Sequence, residues 1–307
     1  MEVSKEDHTQ RFTSGDANGW PKFQRLEPRI LVPKSETPMV FIDTFFWKLS
    51  LDTNHALAKK LHKACLTGMV KVVLSDMVIG EGTRYNLPDK VEKICRSGCY
   101  IANSMHITAN QIIQALLVFM HNHKVVQLPW DLVITEPPVI GKGLQGLRGI
   151  VDVIEKELNK LQSAPEAKTR ESLVSELIYI NQETWRDILK IYGNILCEET
   201  GSPPERYEEF FWTDFFTDLP AIVLSAYLLA YALHEKVLRA NDIIDTLTMA
   251  ELLPYVDLYI ADRKLSARFD RVVRDYPGVF SHYKRRCRVI SGLDASTQVL
   301  EKFLEQL

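Results

Sequence analysis

Cysteine is scarce in this sequence. The 307 residues include five cysteines, Cys65, Cys95, Cys99, Cys197 and Cys287, and this low, odd number does not fit the disulfide scaffold of a small secreted domain. Zinc binding has little support, because Cys95 and Cys99 lack a second pair at a spacing typical of zinc sites, and thiols on a helix are the simpler interpretation. We therefore expect reduced thiols in a cytoplasmic protein.

Long hydrophobic runs and an excess of one charge are absent as well. The longest strongly apolar run, residues 219–233, is shorter than the about 20 residues that a membrane helix requires, and residues 1–16 contain no apolar signal segment. With 37 Lys and Arg against 40 Asp and Glu, the formal net charge is −3, so binding to a polyanion would depend on a local basic patch. We expect a soluble protein with no membrane partner.

The sequence also lacks several motifs that would identify a catalytic class. Neither the G-x-S-x-G motif of serine hydrolases nor the Walker A motif of P-loop proteins occurs, and there is no internal repeat. A dehalogenase-type phosphatase is disfavoured because Phe45 stands two positions after Asp43, where the second aspartate of that class is expected. These absences leave the acidic residues as the main chemical signal.

The two ends of the chain have the alternating pattern of an α/β domain. Apolar runs at residues 39–42, 70–74, 258–260 and 287–290 predict buried parallel strands, and residues 54–65, 76–85, 242–252 and 297–304 predict helices. With 46% hydrophobic residues, the chain can bury a substantial core. We predict an α/β fold with a central parallel sheet flanked by helices.

A long helical segment interrupts this pattern. Apolar spacing predicts helices at residues 109–119, 147–161, 171–195 and 220–238, with one candidate strand at 124–126. The aromatic residues between 207 and 216 have helical spacing and are expected in the core rather than on a base-stacking surface. We divide the chain into an irregular arm (residues 1–37), an α/β domain (residues 38–88 and 238–307) and a helical insertion (residues 89–237).

Four acidic residues stand where a parallel sheet would bring them together. Asp43 and Asp262 each follow a predicted strand, Glu81 lies in the helix after the second strand, and Asp242 begins a later helix. Asp245, one turn on, is either a fifth acid of the site or an outward neighbour. Carboxylates that converge repel one another unless protons or cations lie between them, and hard oxygen ligands favour Mg²⁺ or Mn²⁺. Taken singly, each acid is also consistent with a helix cap, a salt bridge or a solvated side chain.

This acidic pattern resembles that of the PIN-domain nucleases. The resemblance rests on Phe41-Ile42-Asp43-Thr44, on the segment from Ser75 to Glu81, and on the segment DIIDTLTMAELLPYVDLYIADRKL, which contains Asp242 and Asp262. It implies a PIN-like central sheet and a metal-dependent ribonuclease site made of Asp43, Glu81, Asp242 and Asp262, with polar support from Thr44 and Ser75. A PIN domain is usually shorter than this chain, so the helical insertion would be a substrate clamp, an oligomer interface or a regulatory module.

Basic residues cluster near the last of these acids. The residues concerned are Arg263, Lys264, Arg268, Lys284, Arg285 and Arg286. They are candidates for contacts with the phosphate groups of RNA, and the alternative is a solvated face paired with acids.

Two functional hypotheses follow. The first is a Mg²⁺- or Mn²⁺-dependent endoribonuclease with RNA, or DNA, as its substrate. The second is a catalytically silent binding or regulatory protein that acts on a partner protein or a second copy through the helical insertion. The acid set favours the enzyme, because a silent domain would need another reason to hold mutually repelling carboxylates together.

Overall fold

The computed structural model of the chain describes residues 28–47, 54–75, 99–102, 104–132, 158, 160–161, 168–235 and 238–307. The strands in these ranges are β1 (Arg29–Leu31), β2 (Met39–Ile42), β3 (Lys71–Ser75), β4 (Cys99–Ala102), β5 (Val125–Gln127), β6 (Leu258–Ala261) and β7 (Arg288–Ser291). The helices are α1 (Thr44–Phe46), α2 (His55–Leu66), α3 (Ser104–Met120), α4 (Arg170–Ile188), α5 (Lys190–Thr200), α6 (Pro204–Phe210), α7 (Asp214–Thr217), α8 (Pro220–Glu235), α9 (Ala240–Leu252), α10 (Arg263–Asp275), α11 (Pro277–Arg286) and α12 (Leu293–Glu305).

Five of the strands form a parallel sheet in the order β4-β3-β2-β6-β7. The central strands β2 and β6 are fully buried, which explains why their sequences, MVFI and LYIA, are continuously apolar rather than alternating. All four predicted strands are present within one residue of their predicted bounds. The prediction of an α/β fold with a parallel sheet and flanking helices is confirmed.

The direction of the chain across the sheet changes between β2 and β6. From β2 the chain passes through α2 to β3 and later to β4 on one side, whereas from β6 it passes through α10 and α11 to β7 on the other side. The carboxyl ends of β2 and β6 therefore lie side by side at a topological switch point, where open α/β sheets form a crevice.

Alternate strand residues contribute to two cores, one on each face of the sheet. On one face, α2 and α12 cover Val40, Ile42 and Ile260. On the other face, α8, α9, α10 and α11 cover Phe41 and Tyr259. The period of two along each strand directs neighbouring residues to opposite faces.

The helical segment contributes a third core. The aromatic side chains of α6, α7 and the turn between them are buried against α3, which confirms their assignment to the core, except that Trp212 is only half-buried. The rings of Phe210 and Phe211 meet edge to face, with centroids 5.0 Å apart. The apolar helix α8 is buried over residues 220–233. Within the described ranges, none of the helices is both long and apolar enough to cross a membrane.

Two strands lie where none was expected. β4 pairs with β3, so the central sheet takes one strand from residues 89–237, and Cys99 lies in a strand rather than in a helix. β1 lies in the arm that was predicted to be irregular, and it pairs with β5, the strand predicted at 124–126. Runs of three or four residues are too short to show a period, so pairing with a neighbouring strand decides their structure.

The predicted helices agree with the structure where it describes them, with one division. The helix predicted over residues 171–195 is interrupted at Leu189, which separates α4 from α5. The basic residues after Asp262 form two further helices, α10 and α11, for which no prediction was made. The helix predicted at 76–85 and most of the one at 147–161 lie outside the described residues.

Candidate active site

Asp43 and Asp262 both lie at the switch point of the sheet. Asp43 follows β2, Asp262 follows β6, and these strands are hydrogen-bonded neighbours. The ladder continues one step beyond β2, because the backbone N–H of Asp43 donates to the carbonyl oxygen of Ile260 at 3.1 Å. The fold therefore brings two of the predicted site residues to one edge of the sheet.

The carboxylate of Asp262 also has a structural role as the N-cap of α10. Its Oδ1 accepts a hydrogen bond from the backbone N–H of Leu265 at 2.6 Å. This bond satisfies a first-turn donor and holds the carboxylate at the sheet edge. Asp43 precedes the short helix α1 without making a side-chain cap bond. A cap bond therefore fixes the Asp262 carboxylate, whereas the Asp43 carboxylate makes no such bond.

Tyr259 is a buried tyrosine of β6, and acidic residues influence its hydroxyl. The Tyr259 ring is buried and stacks on Phe41, with ring centroids 4.4 Å apart. Burial raises the pKa of the Tyr259 hydroxyl well above its ordinary value, and the negative charges of Asp43 and Asp245 raise this pKa further. The charge of Glu251 raises this pKa as well, so Tyr259 lies within range of several acids, Asp43 and Asp245 among them.

Asp242 faces the basic residues of α10. Its Oδ1 forms an ion pair with Nζ of Lys264 and lies 4.0 Å from Nη2 of Arg268. Its Oδ2 accepts a hydrogen bond from the backbone N–H of Arg239 at 3.4 Å, which closes the first turn of α9. Asp242 therefore joins α9 to α10 through its ion pair with Lys264.

Arg268 lies inside the protein, in contrast to its predicted role in binding nucleic acid. Its side chain is 2% exposed, its Nη1 donates to Oγ1 of Thr246 at 3.3 Å, and its Nη2 lies 3.6 Å from Oε2 of Glu235. The reason is the helical spacing of α10, which places position 268 on the buried face with Leu265 and Phe269. In this position Arg268 balances the charge of Glu235 and Asp242.

The other predicted basic residues lie at opposite ends of the parallel strands. Arg263 and Lys264 follow β6 at its carboxyl end, next to Asp262, whereas Arg285 and Arg286 directly precede the amino end of β7. Residues before and after a strand of a parallel sheet lie at opposite edges, so the predicted basic residues do not form one surface.

Like Lys264, which pairs with Asp242, Lys284 and Arg286 already have partners within the protein. Nζ of Lys284 forms an ion pair with Oδ1 of Asp270 at 2.7 Å. The guanidinium of Arg286 is turned inwards, where Nη1 donates to the carbonyl oxygen of Val32 and burial lowers its pKa. Arg286 therefore ties the segment after β1 to the sheet.

The predicted polar supports are both buried at the carboxyl edge. Thr44 begins α1 beside Asp43 and is 4% exposed, and its Oγ1 makes no hydrogen bond within the described part of the chain. Ser75 ends β3, the strand next to β2, and has no exposed surface. Glu81, the remaining predicted acid, lies outside the described residues.

The oxygen donors of this edge suit a hard divalent cation such as Mg²⁺ or Mn²⁺. Within the described ranges, however, no three His, Cys, Asp or Glu side chains are grouped so that they could hold a metal ion. The described acids do not complete a metal site by themselves, and a further ligand such as Glu81 would have to come from the residues outside these ranges.

Two residues of this region were overlooked in the sequence. Tyr259 is the one hydroxyl-bearing residue in the apolar strand LYIA, three positions before Asp262, and the period of two directs it away from the face of Ile260. Glu235 ends α8 and meets Arg268 only in the folded chain, so no local pattern identifies it.

The chain was compared with protein-family models, with curated proteins and with solved structures, and it matches none of them.

Proposed function

We propose that the protein is a divalent-metal-dependent endoribonuclease with a PIN-like α/β domain. The observation that carries this proposal is the position of Asp43 and Asp262 at the carboxyl ends of two adjacent parallel strands, at the switch point of the sheet. The resemblance of the acidic motifs to PIN-domain nucleases suggests the reaction. Cytoplasmic RNA is the proposed substrate, with DNA as the alternative.

Asp245 and Glu81 complete the acid set that we favour. Asp245 shares the neighbourhood of Tyr259 with Asp43, whereas Asp242 is engaged by Lys264. We therefore rank Asp245 above Asp242 as a ligand from α9. A bound Mg²⁺ or Mn²⁺ would supply charge stabilisation for the phosphodiester and activation of the attacking water.

The chain's own residues have distinct tasks in this proposal. Asp43 and Asp262 present carboxylate oxygens at the crevice, and the cap bond from Leu265 keeps the Asp262 carboxylate in one orientation. Arg263, the residue after Asp262, provides a positive charge for the phosphate groups of the strand.

A second candidate function is a catalytically silent binding or regulatory protein. Two observations favour it: Asp262 caps α10, and Asp242 pairs with Lys264, so both carboxylates have structural roles that need no metal ion. The partner in this case would be a protein or a second copy that docks on the helices between β4 and β6.

Cleavage of mixed-sequence single-stranded RNA tests the proposal. The assay compares Mn²⁺, Mg²⁺ and EDTA, with DNA of the same sequence in parallel. We expect metal-dependent cleavage of RNA by the wild type and a loss of about 100-fold or more in Asp43→Asn, because this change removes a carboxylate from the centre of the site.

Asp187→Asn is the matched control. It is the same chemical change at a side chain of α4 that is 75% exposed, and it should leave cleavage unchanged. Equal activity of Asp43→Asn and Asp187→Asn, or cleavage that persists in EDTA, would be incompatible with the proposed site. Absence of cleavage by the folded wild type in every metal would favour the binding function.

A further inference from the structure

The turn between β7 and α12 lies next to Asp262 at the carboxyl edge of the sheet. β6 and β7 pair through Ala261 and Ser291, so Asp262 and Gly292 are the next residues along these neighbouring strands. Gly292 is the N-cap of α12 and has a φ of 88°, a conformation that favours glycine. No side chain caps the first turn of α12.

The first turn of α12 presents backbone donors at this edge. The first helical hydrogen bond runs from the N–H of Ser296 to the carbonyl oxygen of Gly292 at 2.9 Å. The N–H groups of Leu293, Asp294 and Ala295 lie in the turn before this bond. These groups point out of the helix end, where the helix dipole favours an anion. Many helices share this property, so the neighbouring side chains decide whether an anion binds.

Ser296 is a buried hydroxyl one turn into α12. It has no exposed surface, and its Oγ makes no hydrogen bond within the described part of the chain. Residues four apart share a helix face, and each Cα–Cβ bond tilts towards the helix N-terminus, so Cβ of Ser296 lies on the face of α12 that begins at Gly292. A buried hydroxyl without a partner is unfavourable, and an anion held at the first turn would provide the missing partner.

The guanidinium of Arg263 covers the same turn. Its Nε and Nη2 lie 3.6 Å and 3.8 Å from the position that a Cβ on Gly292 would occupy. Lys264 and Arg271 of the same helix pair with acids, whereas Arg263 makes no ion pair or side-chain hydrogen bond among the described residues. An unpaired guanidinium can make two parallel hydrogen bonds to a phosphate group.

We propose that Arg263, the first-turn N–H groups of α12 and Ser296 form a binding site for a phosphate group of a nucleic-acid strand. The identity of the ligand rests on the proposed function, because the site lies one strand away from Asp262. It would hold a phosphate next to the bond that is cut and so set the position of the strand across the acids. Asp294, the acid of this turn, opposes anion binding through its charge.

Binding is measured on the full chain in EDTA, where metal-dependent cleavage does not occur. The probes are a 5′-phosphorylated single-stranded RNA, the same RNA without the 5′-phosphate, and inorganic phosphate as a competitor, with fluorescence anisotropy as the readout. We expect Arg263→Gln to weaken RNA binding about tenfold, and Asp294→Asn to strengthen it. Ser296→Ala should weaken binding severalfold while the melting temperature stays the same or rises, because an unsatisfied hydroxyl is removed.

Arg29→Gln is the matched control for charge. Arg29 is an exposed arginine at the start of β1, and its replacement should leave the affinity unchanged. Equal affinities of Arg263→Gln and Arg29→Gln would overturn the site, as would wild-type affinity of Ser296→Ala. Competition by inorganic phosphate as strong as that by RNA would mean a free-anion site and would overturn the assignment to nucleic acid.

The two proposals can fail separately. Binding in EDTA that depends on Arg263, in a protein that does not cleave RNA with any metal, would contradict the nuclease and leave the phosphate site standing. Metal-dependent cleavage by the wild type, together with unchanged RNA binding by Arg263→Gln, would support the nuclease and contradict the phosphate site.

Discussion

Arg268 is a charged side chain that the protein holds in its interior. Its guanidinium lies among Thr246, Glu235 and Asp242, and it is 2% exposed. A buried charge is tolerated when acids and hydrogen-bond acceptors surround it, so Arg268 links the end of α8, the start of α9 and the middle of α10. The run of basic residues around position 268 suggested a surface, whereas in the structure Arg268 shares the buried face of α10 with Leu265 and Phe269.

Replacement of Arg268 by methionine should destabilise the protein. We expect the free energy of unfolding to fall by about 2 kcal/mol or more, because Glu235 and Asp242 lose their buried counter-charge. Urea unfolding followed by circular dichroism measures the change. Arg274→Met is the control, since Arg274 is 69% exposed and pairs with Asp275 at the surface, and it should cost less than about 1 kcal/mol. Similar losses in the two variants would contradict a special role for Arg268.

At the scale of elements, two tyrosine–carboxylate bonds join the helical segment to the α/β part. The Tyr231 hydroxyl on α8 donates to Oδ2 of Asp275 at the end of α10 at 2.6 Å, and the Tyr276 hydroxyl donates to Oε1 of Glu171 on α4 at 2.7 Å. The bond from Tyr231 lowers the pKa of Asp275, and the bond from Tyr276 lowers the pKa of Glu171. Both bonds therefore need ionised carboxylates to contribute fully.

These bonds predict a stability that depends on pH. Because both pKa values are lower in the folded chain than in the unfolded one, the stabilisation is complete above the ordinary carboxylate range, about pH 4, and is lost as the pH falls through the folded values. We expect the variant Tyr231→Phe/Tyr276→Phe to melt below the wild type at pH 7, with a difference that shrinks on acidification. Melting curves between neutral and strongly acidic pH measure it.

Tyr192→Phe serves as the comparison for this experiment. In the described part of the chain, burial and the charge of Glu199 raise the pKa of the Tyr192 hydroxyl, with no contribution from a hydrogen bond to a carboxylate, so the effect of Tyr192→Phe on the melting temperature should not depend on pH in the acidic range. A difference between the double variant and the wild type that stays constant across the pH range would contradict the role of the two ionised acids.

The elements themselves differ in how well local sequence predicts them. Strands β2, β3, β6 and β7 were predicted because buried parallel strands are continuous apolar runs. β4 was missed: its short run, CYIA, becomes a strand by pairing with β3 at the edge of the sheet. Leu189 was missed as a break because helical spacing continues across it.

At the scale of the whole molecule, the sheet and the helical segment share a core. The core on one face of the sheet contains Phe41 and Tyr259 from the strands together with Leu177 of α4 and Leu224 of α8. The helices that the sequence suggested as an insertion therefore pack directly on the sheet that carries Asp43 and Asp262. Because α8 and α9 pack against each other, a shift of α8 would also displace α9, which carries Asp245.

Metal binding to the folded molecule should raise its melting temperature. A ligand that binds only the folded state at about 100 times its dissociation constant adds about 2.7 kcal/mol of stability. We expect Mn²⁺ or Mg²⁺ to stabilise the wild type and not Asp43→Asn, as measured by thermal shift with an EDTA reference. No shift in the wild type, together with a stabilising effect of Asp43→Asn through relief of charge repulsion, would favour the catalytically silent protein.

The sequence alone determined the α/β character of the chain, the positions of four strands and the burial of α8 and of the aromatic residues. These are local properties, because apolar spacing along a few turns or strands decides which face is buried. The tertiary structure decided which side chains meet. The strand order placed Asp43 beside Asp262, the turn at Gly292 brought Arg263 over α12, and the packing of α9 directed Asp242 to Lys264. Contacts between residues so far apart in the chain arise from sheet order and helix packing, which no local pattern encodes.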